Sequence, residues 1–461
     1  MVLLALAAVS CRPTISDFTM ERMIAIDDEG APKLYPYRHG GAVVTPDSYS
    51  YEQQLEHVAA AIKKSGRKKI MLFVFGGMNS VDETVEDSQR LAEAVWKDSD
   101  YYPVFINWES TLFECYLDHL FMIRRGVKSY TFGPALSPFY LTVDVGRAMT
   151  RLPINMVYQS YNTFSSDEDF PELDKETIQH LRNLKIRTYL GENHYPQDYS
   201  WLARSVYIGA LPVRAVTTPI IDTFGKSAWD IMKRRAKTAF IRAHPLEIGV
   251  VRELLLAMSP PDGAVALLME KMRTLYGEDP QLEFTLIGHS MGPFILNEIV
   301  TRYPTLPYRN IVYLASACSV NDTVLALKPY LKANPQSMFY NLCIHPQRDT
   351  QDMMIYGVLP RGSVLEWIDL YFADPVSAED LTVGQWDNAV FQLPHLMDSV
   401  EPQVVIKGFG LRDPVTNNIR LDMPEQHTDF SNPVLKFWSP EFWRPPGNGA
   451  KKNGKIPAAF Q

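Results

Sequence analysis

Apolar residues along this chain follow two spacings, and where the spacings alternate they predict strands joined by helices. Residues 70–75 are a continuous apolar run, which is typical of a strand covered on both faces. Residues 81–97 then have the spacing of an amphipathic helix, and 103–108 form a second apolar run. Because strand–helix–strand units are right-handed and join parallel strands, this stretch predicts a parallel sheet with helices on its faces.

The same alternation returns in the last third of the chain. Nearer the amino terminus, residues 51–63 have helical spacing, and residues 24–26 are expected to begin a small strand pair. The pattern as a whole predicts an α/β fold built on a mostly parallel sheet with helices on both faces. The later predicted strands are 284–287, 310–315, 337–344 and 404–410, with helices at 293–300 and 323–332.

The interval between the two halves of this predicted sheet, from Trp108 to Phe284, is far longer than one helical crossover. We therefore expect an inserted domain at 115–280, between core segments at 21–114 and 281–444. Aromatic side chains are frequent in the inserted region. They are interpreted either as the core of the insertion or as the lining of an apolar substrate pocket.

The overall composition excludes some classes of protein. Hydrophobic residues make up 46% of the chain and charged residues 21%, as in ordinary folded proteins. Lys and Arg number 45 against 53 Asp and Glu, for a net charge of −8, so no global basic field favours nucleic acid as a partner. The Gly-, Pro- and Lys-rich residues 445–461 predict a flexible tail.

The amino-terminal residues 1–20 begin with an apolar leader whose first ten residues carry no side-chain charge. This run is too short to span a bilayer as a helix. The sequence Ala8-Val9-Ser10-Cys11 resembles a bacterial lipoprotein cleavage box, although no basic residue precedes it. Two interpretations stay open: an exported protein with a possible membrane anchor through Cys11, or a cytoplasmic protein with an apolar amino terminus.

Neither a metal nor a cofactor is expected from the motifs in the sequence. The cysteines lack the two-to-four-residue spacing of zinc sites, and no His-Glu-x-x-His motif occurs. Cys318 and Cys343 lie in apolar runs and are expected to be small buried side chains. Gly408 and Gly410 lack the third glycine of a dinucleotide-binding loop, and no phosphate-binding P-loop is present.

The most informative motif is Gly-His-Ser-Met-Gly, in which Ser290 lies between Gly288 and Gly292. It stands where the strand at 284–287 ends and the helix at 293–300 begins. A serine at such a sharp turn has a strained backbone and an exposed hydroxyl, and a side chain at either glycine would crowd the strand against the helix. The context predicts a nucleophile elbow with Ser290 as the nucleophile.

Several features together resemble the α/β-hydrolase superfamily, nearest to its serine esterases, lipases and thioesterases. They are the Gly-Gly-Met-Asn sequence after the strand at 70–75, the elbow around Ser290, the order of the strands, and His427 after the last strand. The resemblance covers about residues 60–110 and 281–440. It implies an α/β-hydrolase sheet, with the insertion at 115–280 as a large cap.

The expected general base is His427. A serine hydroxyl is a poor nucleophile near pH 7 and needs an adjacent imidazole to take its proton. In α/β-hydrolases both partners follow the serine, the acid first and the histidine second. His345 and His395 precede the last strand, whereas His427 follows it on a loop at the carboxyl edge of the sheet.

The expected acid is Asp349, because it comes just after the strand at 337–344. A carboxylate there would fix the tautomer and the orientation of the imidazole. Asp322, which follows the preceding strand, and Asp352 stay open as alternatives.

An oxyanion hole is the remaining requirement, since negative charge develops on the carbonyl oxygen of the substrate. One donor is expected to be the backbone N–H of Met291, at the start of the elbow helix. The second is expected from Gly77 or Met78, in the loop after the strand at 70–75, where glycine lets the backbone approach a substrate.

The sequence thus predicts a serine hydrolase that cleaves a carboxylic ester or thioester, with an apolar acyl group, through an acyl-enzyme on Ser290. An acyltransferase would use the same residues and pass the acyl group to another acceptor. A non-catalytic binding protein with the same fold is the third possibility, because fold alone does not establish activity.

Overall fold

The centre of the molecule is a sheet of eight parallel strands. The computed structural model describes residues 12–124, 127–130, 132–164, 187–189, 205, 208–242, 262–344, 359–360, 362–409, 424 and 426–444. The strands of the sheet are β1 Met23–Ile26, β2 Lys69–Val74, β3 Tyr101–Trp108, β4 Arg187–Tyr189, β5 Glu283–His289, β6 Tyr308–Leu314, β7 Met338–Ile344 and β8 Val404–Phe409. Their order is β1-β3-β2-β5-β6-β7-β8-β4, and every neighbouring pair is parallel. The predicted α/β class and parallel sheet are confirmed.

Long helices connect these strands, and their sequences carry clear start and stop signals. Ser50 with Gln53, and Ser80 with Glu83, form capping boxes at the first two helices. Gly66 ends the first helix in the left-handed conformation, with φ of +68°. The long helices are α1 Tyr51–Ser65, α2 Val81–Asp98, α3 Phe132–Phe164, α4 Leu211–Thr238, α5 Ala264–Glu278, α6 Gly292–Arg302, α7 Val320–Ala333 and α8 Trp386–Leu396.

Smaller elements complete the described chain. A three-stranded sheet consists of Ile15–Ser16, Tyr37–His39 and Ala42–Val44, and a two-stranded one of Ile123–Arg124 and Val127–Lys128. The short helices are Asp17–Met20, Leu112–Leu117, Val364–Trp367 and Pro440–Trp443. Single helical turns lie at Pro46–Ser48, Asp118–Met122, Ile368–Phe372, Ala378–Asp380, Glu401–Gln403, His427–Ser431 and Pro433–Leu435.

The core lies on both faces of the central strands, as the continuous apolar run of β2 requires. Residues 70–74 are all fully buried. The ring of Phe73 packs against Phe105 of the neighbouring strand and against Phe437, with centroids 5.8 and 4.8 Å apart. Phe437 belongs to the carboxy-terminal segment 426–444, so this segment is held against the sheet by aromatic contacts.

Two strands of the sheet and one helix packed on it differ from the sequence-based expectations. Residues 24–26 do not begin a small strand pair: β1 is fully buried and forms one edge of the main sheet beside β3. At the other edge lies β4, a strand from within the interval 115–280. From the same interval, α5 packs on the core, where the Tyr51 hydroxyl donates to the Ala264 carbonyl at 2.8 Å. The sheet is completed by strands that are far apart in sequence, and the spacing of apolar residues does not reveal such pairings.

Both ends of the chain fall outside the described residues, namely 1–11, which include Cys11, and 445–461. The lipid anchor at Cys11 and the flexible tail therefore stay predictions. Cys318 and Cys343 are buried, as expected. Among the described helices, none combines the length and the hydropathy needed to cross a bilayer.

Candidate active site

Ser290 occupies a strained turn between the end of β5 and the start of α6. Its φ is +54°, a left-handed conformation that non-glycine residues rarely adopt. Two backbone hydrogen bonds hold it there: its N–H donates to the Leu314 carbonyl at 2.9 Å, and its carbonyl accepts from the Ala317 N–H at 2.7 Å. Both partners belong to β6 or the loop after it. Strain of this kind costs about 1–3 kcal/mol and persists only where the surrounding structure imposes it.

The two glycines of the motif are required by close packing. A Cβ on Gly288 would lie 2.8 Å from both the Pro293 nitrogen and the Leu296 Cδ1. A Cβ on Gly292 would lie 2.4 Å from the Val74 carbonyl oxygen, at the end of β2. The expectation that a side chain at either position would crowd the strand against the helix is confirmed.

His427 lies directly beside the serine, 137 residues further along the chain. Its Nε2 is 2.9 Å from Ser290 Oγ, and both side chains are buried. His427 opens the turn His427–Ser431, in which Gln426 and Asp429 form a capping box. Phe430 in this turn packs on Phe409 of β8, with ring centroids 5.7 Å apart. This packing of the turn on the end of β8 places the His427 imidazole within hydrogen-bond distance of the Ser290 hydroxyl.

A second histidine, His289, supports the backbone of His427. Its Nε2–H donates to the His427 carbonyl at 2.9 Å, and the two rings lie 5.1 Å apart. Sequence reasoning missed this contact, because only the fold brings the residue next to Ser290 against a turn so distant in the chain. The contact fixes the position of the turn that carries the candidate base.

Burial keeps both imidazoles neutral near pH 7. Burial lowers the pKa of His289 to about 4, although its hydrogen bond to the His427 carbonyl opposes the shift. Burial, and to a lesser extent the neighbouring His289, lowers the pKa of His427 to about 3. A neutral imidazole that accepts the serine proton at Nε2 carries its own hydrogen on Nδ1.

The Nδ1 atom of His427 is buried and has no hydrogen-bond partner among the described residues. A buried ring N–H without an acceptor is costly, so this atom marks where a carboxylate would fit. Asp349 and Asp352 follow β7 and lie outside the described residues. Asp322 is described: it is exposed in the first turn of α7, where its N–H is bonded to Ser319 Oγ at 3.0 Å. The structure does not bring Asp322 into contact with His427.

The loop after β2 closes onto the elbow. A Cβ on Gly76 would lie 3.0 Å from Ser290 Cβ, and one on Gly77 would lie 2.4 Å from Met291 Sδ. Within the described chain, the backbone N–H groups of Gly77 and Met291 have no acceptor in the protein. They are therefore free to serve as donors to an oxyanion.

Met78 has a different role from the one considered in the sequence. Its N–H donates to the Ser110 carbonyl at 3.0 Å, and its φ is +70°. Because that N–H is already used, Met78 does not supply an oxyanion donor in this arrangement. Its hydrogen bond instead fixes the loop that presents Gly77, so Gly77 is favoured over Met78.

The described residues contain no group of three or more His, Cys, Asp or Glu side chains arranged to hold a metal ion.

The chain matches no protein-family model, no curated protein and no solved structure.

The close packing at Gly292 yields a testable prediction. Gly292→Ala places a methyl group against the Val74 carbonyl, so β2 and α6 must separate and the serine must shift. We expect a loss of stability of about 1–3 kcal/mol, in the range of overpacked cores, measured by denaturant unfolding. The matched control is Gly277→Ala in α5, where nothing lies within 4 Å of the built Cβ. Equal stability of the two variants would contradict the packing account.

Proposed function

We propose that this protein is a serine hydrolase of the α/β-hydrolase type that forms an acyl-enzyme on Ser290. The observation that carries the proposal is the 2.9 Å contact between Ser290 Oγ and His427 Nε2 at a left-handed turn. A serine with a purely structural role requires neither a strained backbone nor a neighbouring buried, neutral imidazole. Nucleophilic catalysis needs both, because the hydroxyl must be presented to a substrate and relieved of its proton.

Acylation follows from the positions of these groups. Ser290 Oγ attacks the carbonyl carbon of an ester or thioester, and its proton passes to His427 Nε2. The carbonyl oxygen takes the negative charge of the tetrahedral intermediate and accepts hydrogen bonds from the N–H groups of Gly77 and Met291. When the intermediate collapses, the leaving alcohol or thiol departs with the proton from His427.

Deacylation repeats the same steps with water. His427, neutral again, takes a proton from a water molecule, whose oxygen attacks the acyl carbon. The second tetrahedral intermediate then releases the carboxylic acid, and Ser290 Oγ regains its proton from His427. Burial lowers the pKa of His427, so the base is neutral at the start of each half-reaction.

The acid of the triad is proposed to be Asp349. The Nδ1 of His427 has no acceptor among the described residues, and the chain that leaves β7 starts two strands from β5 at the same carboxyl edge. The first aspartate after β7 is Asp349. A carboxylate at Nδ1 would hold the imidazole in its working tautomer and stabilise the imidazolium that forms during catalysis.

The substrate is proposed to be a small carboxylic ester or thioester with an apolar acyl group, and the helices α3 and α4 are proposed to belong to a cap. The support is the position of α4 next to the elbow helix: Trp229 of α4 packs on Phe294 of α6, with ring centroids 5.7 Å apart. A cover of this kind excludes water from the reacting carbonyl.

Covalent labelling with a fluorophosphonate tests the nucleophile. We expect wild-type protein to be labelled and Ser290→Ala to be unlabelled, since the probe reacts only with an activated serine. Ser431→Ala is a matched control, because its hydroxyl only donates to the Thr428 carbonyl at 3.1 Å. No labelling of folded wild-type protein, or undiminished labelling of Ser290→Ala, would favour a non-catalytic binding protein.

The acid is tested by three isosteric substitutions, Asp349→Asn, Asp352→Asn and Asp322→Asn. With an ester substrate of measurable turnover, we expect Asp349→Asn to lower kcat on the order of 10⁴-fold, because the imidazole loses its orienting carboxylate. The other two are expected to stay near the wild-type value. A large loss in Asp352→Asn with an active Asp349→Asn variant would transfer the role to Asp352.

A further inference from the structure

Helix α3 is built with its polar side inward. Its buried positions recur every four and seven residues, which is one stripe along the helix. An ordinary amphipathic helix buries leucines and valines on such a stripe. Here the stripe contains only glycine, alanine and polar residues: Gly133, Ser137, Asp144, Ala148, Asn155 and Gln159.

Helix α4 faces α3 with a polar stripe of its own. Asp222 is fully buried and accepts a hydrogen bond from Asn155 at 3.0 Å, with Arg147 of α3 3.3 Å away. Asp144 of α3 accepts from Ser227 of α4 at 2.9 Å. The contact between the two helices is therefore a hydrogen-bonded and ion-paired layer rather than an apolar one.

The charged residues on the first parts of these helices are few, and all of them are buried or half-buried. Residues 132–160 and 211–225 contain only five charged side chains: Asp144, Arg147, Arg151, Arg214 and Asp222. Arg151 donates to the Leu370 carbonyl at 2.5 Å, and Arg214 is fully buried with Gln159 3.5 Å away. Arg147 and Arg151 are 25% and 22% exposed, and both pair with Asp374, which is 40% exposed.

The outer surface is instead covered by large apolar side chains. Val157 is 67% exposed and Phe132 is 70% exposed. We call this surface the apolar face. Its exposed residues are Phe132, Leu136, Phe139, Leu141, Val143, Val145, Met149, Ile154, Val157 and Tyr158 on α3, and Val213, Val216, Ile220 and Phe224 on α4.

This inverted arrangement matches a helix pair in contact with lipid. In hydrocarbon, ionisable residues turn to the helix–helix interface and pair there, and small residues allow close helix contact. Prolines inside helices are also more frequent in lipid than in water, and Pro138, Pro153 and Pro219 lie inside α3 and α4. Protein interfaces, in contrast, usually have a polar rim and frequent hydrogen bonds.

The charge on the second half of α4 complements an anionic headgroup layer. Lys226, Asp230, Lys233 and Lys237 follow one another at four-, three- and four-residue spacing and form one stripe. The stripe lies beyond the apolar part of α4 and about a third of a turn around the helix from its exposed apolar residues. Asp230 is paired with Lys226 at 2.8 Å and with Lys233 at 3.2 Å, so the stripe keeps a positive excess. Juxtamembrane lysines of this kind attract anionic lipids.

We propose that the apolar face of α3 and α4 docks on a phospholipid bilayer, with its apolar side chains in the acyl-chain region and the lysine stripe at the headgroups. The polar layer between the helices satisfies their buried groups, while the lipid covers the apolar surface that water would otherwise meet. This contact does not use Cys11, and it does not depend on the chemistry of Ser290.

Flotation with vesicles tests the proposal on the full-length chain. All proteins carry Cys11→Ser, so that an acyl anchor contributes nothing, and the vesicles are phosphatidylcholine with or without phosphatidylglycerol. We expect the parent chain to float with both, and more strongly with the anionic lipid at low salt. The double variant Val143→Gln with Val157→Gln should lower the partition coefficient by about tenfold or more.

The matched control is Leu325→Gln with Val376→Gln, two apolar residues that are 66% and 95% exposed outside the apolar face. It should float like the parent. Glutamine favours a helix more than valine does, so the test variant should fold; Val213→Gln with Val216→Gln gives a second, independent pair. Light scattering and thermal unfolding are recorded for all of them.

The proposal is overturned if the parent does not float, or if test and control variants float equally. Failure to float combined with a dimer that Val143→Gln and Val157→Gln dissociate would assign the apolar face to a second copy of the chain. Failure to float combined with a marked loss of thermal stability in both test variants would assign it to another part of the same chain.

Discussion

The candidate site depends on one hydrogen bond between groups that are distant in sequence, Ser290 Oγ and His427 Nε2 at 2.9 Å. Two separate parts of the fold must be correctly positioned for this hydrogen bond to form. The β5–α6 turn must hold the serine at positive φ, and the segment after β8 must return to the sheet. Gly288 and Gly292 satisfy the first requirement by close packing, and the aromatic contacts of Phe430 and Phe437 satisfy the second.

Much of this fold was predictable because the elements that build it are locally encoded. Continuous apolar runs gave the strands β2, β3, β6, β7 and β8 within a few residues of their observed bounds. The elbow was predictable for a similar reason, since the serine and its two glycines stand between an apolar run and a stretch of helical spacing. The prediction of His427 needed the order of strands rather than any local signal around it.

Other features were not accessible from the sequence because they arise from contacts between distant segments. His289 was given no role from the sequence, yet its ring N–H donates to the backbone carbonyl of His427. Met78 was considered as a donor, yet Ser110 takes its N–H. The polar layer between α3 and α4 was also missed: apolar periodicity identifies which residues share a face, but it does not say whether that face meets protein, water or lipid.

The central claim is that His427 activates Ser290 through their shared hydrogen bond. The most direct test is the second-order rate constant for fluorophosphonate labelling of Ser290 in His427→Gln, compared with wild type at the same pH. Loss of a general base is expected to slow the reaction by about 10²–10⁴-fold, with the fold retained by circular dichroism. Equal rate constants for the two proteins would contradict the account.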